Sequence, residues 1–301
     1  MNNDLWNYKQ QQYSLKSQGR TLDDIMRTRI RAENRAHADM RQGEKMFGVP
    51  SPDRGTNEFK RACAEMAEGL LYEEDANGTM RKSGLLAIEH QQYNLLMDTM
   101  RSHAGPHLQM FLDIPGIGDR LVARLLSEIG GNAVVAFPAH WEERPDAKGN
   151  DADPLRVLIE DEPYERTVSQ LWTYCGHGKA LKKVKGMTQE EAFQLGNPRA
   201  KMLVHLIAEG CMKSTGGTTS TGVERTRSPY RDVYEAAKTR YEATRPDPPK
   251  GQKDTATEWS KLHRHNAALR ITAKEILRDL WRACKADLQL DREANNVQLA
   301  A

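Results

Sequence analysis

The sequence predicts a mostly α protein: an elongated helical body carrying a helix-hairpin-helix, followed by a C-terminal helical domain. Three observations lead there. Hydrophobic residues make up 38% of the 301 positions and mean hydropathy is −0.75, which suits helices with much wetted surface. Nothing in the first hundred residues alternates apolar and polar side chains as a half-buried strand does. And the segment DIPGIGDRLVARLLSEIG, residues 113–130, sets a glycine-bracketed turn between two apolar segments and runs directly into a helical pattern.

The elements follow in order. Residues 21–46 read as a polar helix, with Thr21 as N-cap and Asp23 and Asp24 in the first turn. A Gly- and Pro-containing loop covers 48–57, and two further helices cover 58–74 and 81–103, broken at DANGT. In the second of these, Leu85, Ile88, Leu95, Leu96 and Met100 approximate one apolar face, which suits self-association of residues 1–105. The helix-hairpin-helix occupies 106–138. Residues 139–165 are acidic and Pro-containing and read as an insertion or linker, with one short strand at 156–159. From 166 to 290 a second helical domain is expected, with helices at 166–175, 188–195, 198–213, 229–243 and 257–287. Residues 214–228 and 245–254 read as flexible loops, and 291–301 as a fraying tail.

Charge divides the chain. Residues 1–165 carry 20 Lys and Arg against 27 Asp and Glu, a net −7; residues 166–301 carry 24 against 15, a net +9. A basic half suits a polyanion partner. The four cysteines, Cys63, Cys175, Cys211 and Cys284, stand far apart and form no C-x-x-C pair, so neither a zinc ribbon nor a redox motif is indicated, and a reducing cytoplasmic, nucleoid-associated location is expected. The first residues lack a secretory core, and no apolar run nears the roughly 18 residues a membrane span needs.

Chemistry concentrates first at the hairpin. Gly116 and Gly118 permit backbone angles that other residues resist and leave peptide N–H groups uncovered at a helix start. Ile114 and Ile117 are expected to turn inward, while Leu121, Leu125, Leu126 and Ile129 supply the buried stripe. Arg120 and Arg124 share a helix face. The candidate DNA-binding set is therefore Gly116, Ile117, Gly118, Arg120 and Arg124, joined by Lys179, Lys182, Lys183 and Lys185 in a basic loop and by Arg199 and Lys201 at a helix start. Such contacts hold phosphates and read no bases; for the lysines, plain solvation is the alternative. A zinc site can be drawn from Cys175, His177, His263 and His265 only by folding distant segments together, so no metal site is expected. Trp172, Trp259 and Trp281 sit at core spacings, and Tyr230 and Tyr234 either pack or form a recognition face.

Three later segments, SQLWTYCGHGK (169–179), LGNPRAKMLVHLIAEG (195–210) and HRHNAALRITAKEILRDLWRAC (263–284), follow the hairpin in an order that resembles a known family. It is the bridge-RNA-guided insertion-sequence transposases and pilin-gene invertases that use a DEDD and serine mechanism. The likeness covers about residues 106–287. It rests on the I-P-G-I-G hairpin, on an L-x-x-Y-x-G-L turn matched by Leu171–His177 with Cys and His substituted, and on a G-N helix start at Gly196, Asn197, Ala200 and Lys201. The late K-x-x-L-x-x-L-W pattern at Lys274, Leu277, Leu280 and Trp281 completes it. The resemblance implies a C-terminal transposase-like domain, DNA as partner, a structured RNA as a further one, and self-assembly.

Two departures bear on catalysis. The family's RuvC-like core with four acidic ligands has no counterpart among the polar helices of residues 1–105; Asp23, Asp24, Glu73, Glu74 and Asp75 read as solvated faces or loops. The family's serine is expected in an interval that here reads HGKALKKVKGMTQEEAFQ, whose only hydroxyl, Thr188, suits a capping box with Glu191. The expectation is a DNA-binding protein of transposase type without its own nuclease and without a cofactor, Mg²⁺ entering only with a nuclease domain present or supplied in trans. Two alternatives stay open. One is an active recombinase with a displaced nucleophile, Ser169 or Ser214 being the nearest candidates, although Ser214 and Ser220 lie in the expected loop, poor ground for a preorganised nucleophile. The other is a non-catalytic structural or regulatory protein of a mobile element or phage.

Overall fold

Helix-compatible spacing dominates the chain, and a computed structural model places nine helices among the residues it describes. The structure describes residues 3–48, 50–66, 69–136, 139–144, 155–160, 162–178, 186–188, 195–218, 222, 224–249 and 254–300, of which 3–13, 139–144, 155–160 and 295–300 are described by backbone alone. The fold class is mostly α. The chain divides into two compact units, one of Ser17–Met100 and one of Met1–Lys16 with Arg101–Ala301.

Within Ser17–Met100 the elements are most of helix α1 (Asn3–Phe47), α2 (Asn57–Met66), the strands β1 (Tyr72–Glu74) and β2 (Met80–Lys82), and α3 from Gly84 (Gly84–Ser102). A small core gathers Ala36, Phe59, Cys63 and Leu71, with Met40, Leu85 and Leu86 against it. Arg29 ties α1 to α3, donating to Glu33 at 2.9 Å and to Glu89 at 2.5 Å. Two expectations fail here. Thr21 is no N-cap, because the helix starts well before it and its hydroxyl donates back to the Ser17 carbonyl. The helix expected over 58–74 stops at Met66, and residues 72–82 form an antiparallel hairpin. The hairpin turns on Asp75, whose carboxylate accepts the N–H groups of Asn77 and Thr79. On α3, Leu96 and Met100 are buried, but Ile88 (47% exposed) and Leu95 (49%) are not, so the apolar face is narrower than the spacing suggests.

The other unit holds α4 (Pro106–Leu112), α5 (Asp119–Ile129), β3 (Val135–Ala136), β4 (Ala139–Arg144), β5 (Leu155–Glu160), β6 (Tyr164–Glu165), α6 (Val168–Tyr174), α7 (Pro198–Lys213), β7 (Thr215–Thr218), β8 (Glu224–Arg227), α8 (Pro229–Thr244) and α9 (Lys261–Ala300). Helix α9 is its spine, packing on α4, α6, α7 and α8. Its buried residues, among them Leu269, Ala273, Ile276, Leu277, Leu280, Cys284 and Leu288, recur every three or four positions and so line one helical stripe. Two half-buried tryptophans satisfy their N–H groups on backbone: Trp172 donates to the Lys274 carbonyl at 3.0 Å and Trp281 to that of Arg166 at 2.8 Å.

Three more expectations change. The flexible loop expected over 214–228 is an antiparallel pair, β7 with β8. The acidic stretch contains β4 paired with β5 over six residues, not one lone strand. The last helix runs to Ala300 where fraying was expected. Residues 189–194 of the helix expected at 188–195, and the lysines at 179–185, lie outside the described residues; Thr188 and Leu195 are described and are not helical.

Candidate nucleic-acid interface

The hairpin begins with α4. Pro106 opens it, where a missing N–H costs nothing, and Asp287 from α9 covers the next two donors. Its carboxylate accepts the N–H groups of His107 and Leu108 at 2.9 Å each and faces His107 Nδ1 at 2.9 Å. The approach is close enough that a Cβ on Gly105 would stand 2.4 Å from the Asp287 carboxyl carbon. After α4 the turn closes with Ile117 N–H donating to the Ile114 carbonyl at 3.0 Å. Helix α5 then starts at Gly118, whose carbonyl accepts from Leu121 and Val122. Ile117, Leu125, Leu126 and Ile129 are buried, as expected; Ile114 and Leu121 are half-buried.

The two glycines have separate tasks. Gly116 has φ +89°, and a Cβ there would lie 2.6 Å from Cys211 Cα on α7. In return, a Cβ on Gly210 would meet the Gly116 carbonyl at 3.0 Å. On the side a Cβ would occupy, this corner is closed by backbone, so Gly116 packs against α7. Gly118 stands at φ −99° with only Leu121 Cδ1, 4.0 Å away, near the place of a Cβ. The open edge of the motif is therefore the start of α5. Beside it Arg120 is exposed and Arg124 half-buried. The same helix start also holds Asp119, whose carboxylate pairs with Arg101.

Arg199 and Lys201 belong elsewhere. Asn197 caps α7, accepting the N–H groups of Arg199 at 2.9 Å and Ala200 at 3.2 Å, and donates to Glu128 at 3.0 Å. Arg199 approaches the same Glu128 at 3.5 Å, and the Tyr174 hydroxyl donates to the Glu128 carbonyl at 2.9 Å. Ten residues of helix, about 15 Å at 1.5 Å per residue, separate Glu128 from Gly118. Thus Arg199 is carried by the far end of α5, and the structure does not bring it to the hairpin. Gly196 serves packing too, since a Cβ there would lie 2.4 Å from the Thr173 carbonyl. Lys201 is exposed, its stem passing over Gly176. Lys179, Lys182, Lys183 and Lys185 lie outside the described residues.

The drawn zinc set does not assemble. His263 faces Asp254 at 2.9 Å and stacks on Trp259, while His265 meets the Tyr234 hydroxyl at 2.7 Å. No group of three or more His, Cys, Asp or Glu is placed to hold a metal among the described residues. All four cysteines are free and buried, and burial pushes the Cys175 and Cys284 thiols up to about 12 and Cys211 up to about 11. Tyr230 and Tyr234 are buried, so they pack. Ser214 donates its hydroxyl to the Thr226 carbonyl at 3.2 Å and ends α7; Ser169 is exposed on α6; Ser220 lies outside the described residues.

One residue that spacing gave little reason to select is His177. It is 4% exposed, and neither ring nitrogen has a hydrogen-bond partner. Burial, then the charges of Lys201, Arg270, Lys274 and His205, push its pKa down to about 4. The sequence offered His177 only as a drawn zinc ligand and as the substituted end of the family's turn; the pair Arg270 and Lys274, four apart on one helix face, meets it only after folding.

No family model, curated protein or solved structure matches the chain. Among the described residues no helix is long and apolar enough to cross a membrane.

Proposed function

We propose that the chain is a DNA-binding protein of the insertion-sequence transposase or recombinase type, holding duplex or junction DNA through its helix-hairpin-helix, without a nuclease of its own. The observation that carries this reading is Gly118: a helix start with open space where a Cβ would stand, flanked by Arg120 and Arg124. Peptide N–H groups there and the positive end of the helix dipole favour a phosphate oxygen. The net +9 of residues 166–301 supports a polyanion partner. Partners on this reading are DNA, a structured RNA and a second copy of the chain, and strand cleavage falls to another subunit.

A second reading is a structural or regulatory protein of a mobile element that uses the hairpin to meet protein. It is favoured by Asp119, an anion already seated at the helix start, and by Met110, 70% exposed on α4. A gel-shift titration across salt separates the two. On the DNA reading, Arg120→Ala weakens binding and lowers the slope of log affinity against log salt by about 0.9 for each phosphate it ceases to neutralise. Gly118→Val weakens it further by blocking the backbone. Equal binding by parent and both variants, or none by the parent, rejects the DNA reading.

A further inference from the structure

His177 poses a problem that the fold does not solve. A buried imidazole ordinarily satisfies its nitrogens, yet both are unpartnered here. The groups acting on it most strongly after burial are all cationic or can become so: Lys201, Arg270, Lys274 and His205. The fold holds these groups by construction. Arg270 donates to the Gly178 carbonyl at 2.7 Å, fixing the turn that carries His177. Lys274 lies over the Trp172 ring, 4.9 Å from its centroid, on the side chain whose N–H bonds the Lys274 carbonyl. Lys201 lies close over Gly176, where a Cβ would come within 2.9 Å of its stem. The carboxylate beside His205, Glu209 at 3.4 Å, is shared with Lys213.

Like charges gathered from two helices around an unsatisfied donor cost energy unless an anion joins them. We infer that the turn carrying His177 is a second phosphate seat, in which the Lys201, Arg270 and Lys274 cations receive a backbone phosphate of bound nucleic acid above the buried imidazole. The ligand class follows from the donors. A phosphodiester presents two anionic oxygens that can meet several N–H groups at once, and it passes as part of a chain that the hairpin can hold elsewhere. This inference rests on the DNA reading above and adds to it a position and a set of residues.

The test uses the full chain labelled with ¹⁵N at its nine histidines. The His177 ring signal is identified as the one that remains neutral lowest in pH and, independently, as the one that disappears in His177→Gln. Duplex DNA should shift that signal, and the double variant Lys201→Gln, Lys274→Gln should lower the salt slope of DNA binding by up to about 0.9, the share of one phosphate, and weaken affinity at least tenfold. If DNA binds while the signal stays still and the double variant keeps the parent slope, the seat does not exist. Inorganic phosphate supplies the distinguishing arm. Should phosphate move the signal while DNA binds without moving it, the source is a free anion and the assignment to nucleic acid falls. Should phosphate move it while DNA fails to bind at all, the seat stands and the DNA reading fails. The double variant changes two flexible side chains, so it keeps the test decisive even if His177→Gln does not fold.

Discussion

Gly116 and Gly118 show how much one position can differ from a neighbour two residues away. At Gly116 any side chain meets both a left-handed backbone angle and the α7 backbone. Gly116→Ala is therefore expected to destabilise the protein by about 2–4 kcal/mol, from backbone strain and overpacking together, seen as a lower thermal midpoint. Gly118→Ala should leave that midpoint nearly unchanged, because its backbone angles are ordinary and the space is open. His177 carries a pH dependence whose sign is fixed. Its folded pKa, about 4, lies below the ordinary histidine value of 6.5, so the native state resists a proton that the unfolded chain accepts. The neutral-ring stability is present above pH 6.5 and is lost as pH falls toward 4, by about 3 kcal/mol in all. Denaturant melts across that window should show a flatter profile for His177→Gln than for the parent; equal slopes would contradict the assignment. The I-P-G-I-G spelling revealed the turn, but not which glycine has room for a side chain, since that depends on Gly210 and Cys211 about ninety-five residues further along.

Helices were legible where burial is one-sided, as in α5, α7 and α8, because an apolar stripe at 3.6-residue spacing survives in the sequence. Strands β7 and β8 were not. Every residue of β8 is exposed, and so are three of the four in β7, so no alternation marks them and Thr, Gly and Ser read as linker. The N-terminal hairpin is hidden for the same reason. Boundaries set by distant partners were also invisible: Asp287 anchors α4 from 180 positions away. Asp287→Ala should cost about 1–2 kcal/mol, the usual effect of removing an N-cap, with faster amide exchange at His107 and Leu108. Unchanged exchange there would show that α4 does not depend on α9 for its start. The candidate DNA set was readable as a series of residue types, but its members part company in space. Arg120 stands by the open helix start, while Arg199 is engaged by Glu128 at the other end of α5.

Across the chain, stability is expected to be uneven. Ser17–Met100 rests on a small cluster around Phe59 and Cys63, whereas the other unit buries a long stripe of α9. Phe59→Ala should cost about 3–5 kcal/mol locally, and hydrogen exchange should then quicken over residues 17–100 and not over 268–288. Exchange rising equally in both would mean that the two units unfold as one. The mostly α class followed from composition and spacing, and the sequence set a boundary at 105/106, whereas the compact units meet at Met100, inside helix α3. The buried cysteines carry a practical corollary. Thiolates are the reactive form, and all four native thiols are shielded and hard to ionise. A single cysteine introduced on the surface would then be the preferred handle for a maleimide dye, with no need to strip out the natural ones first.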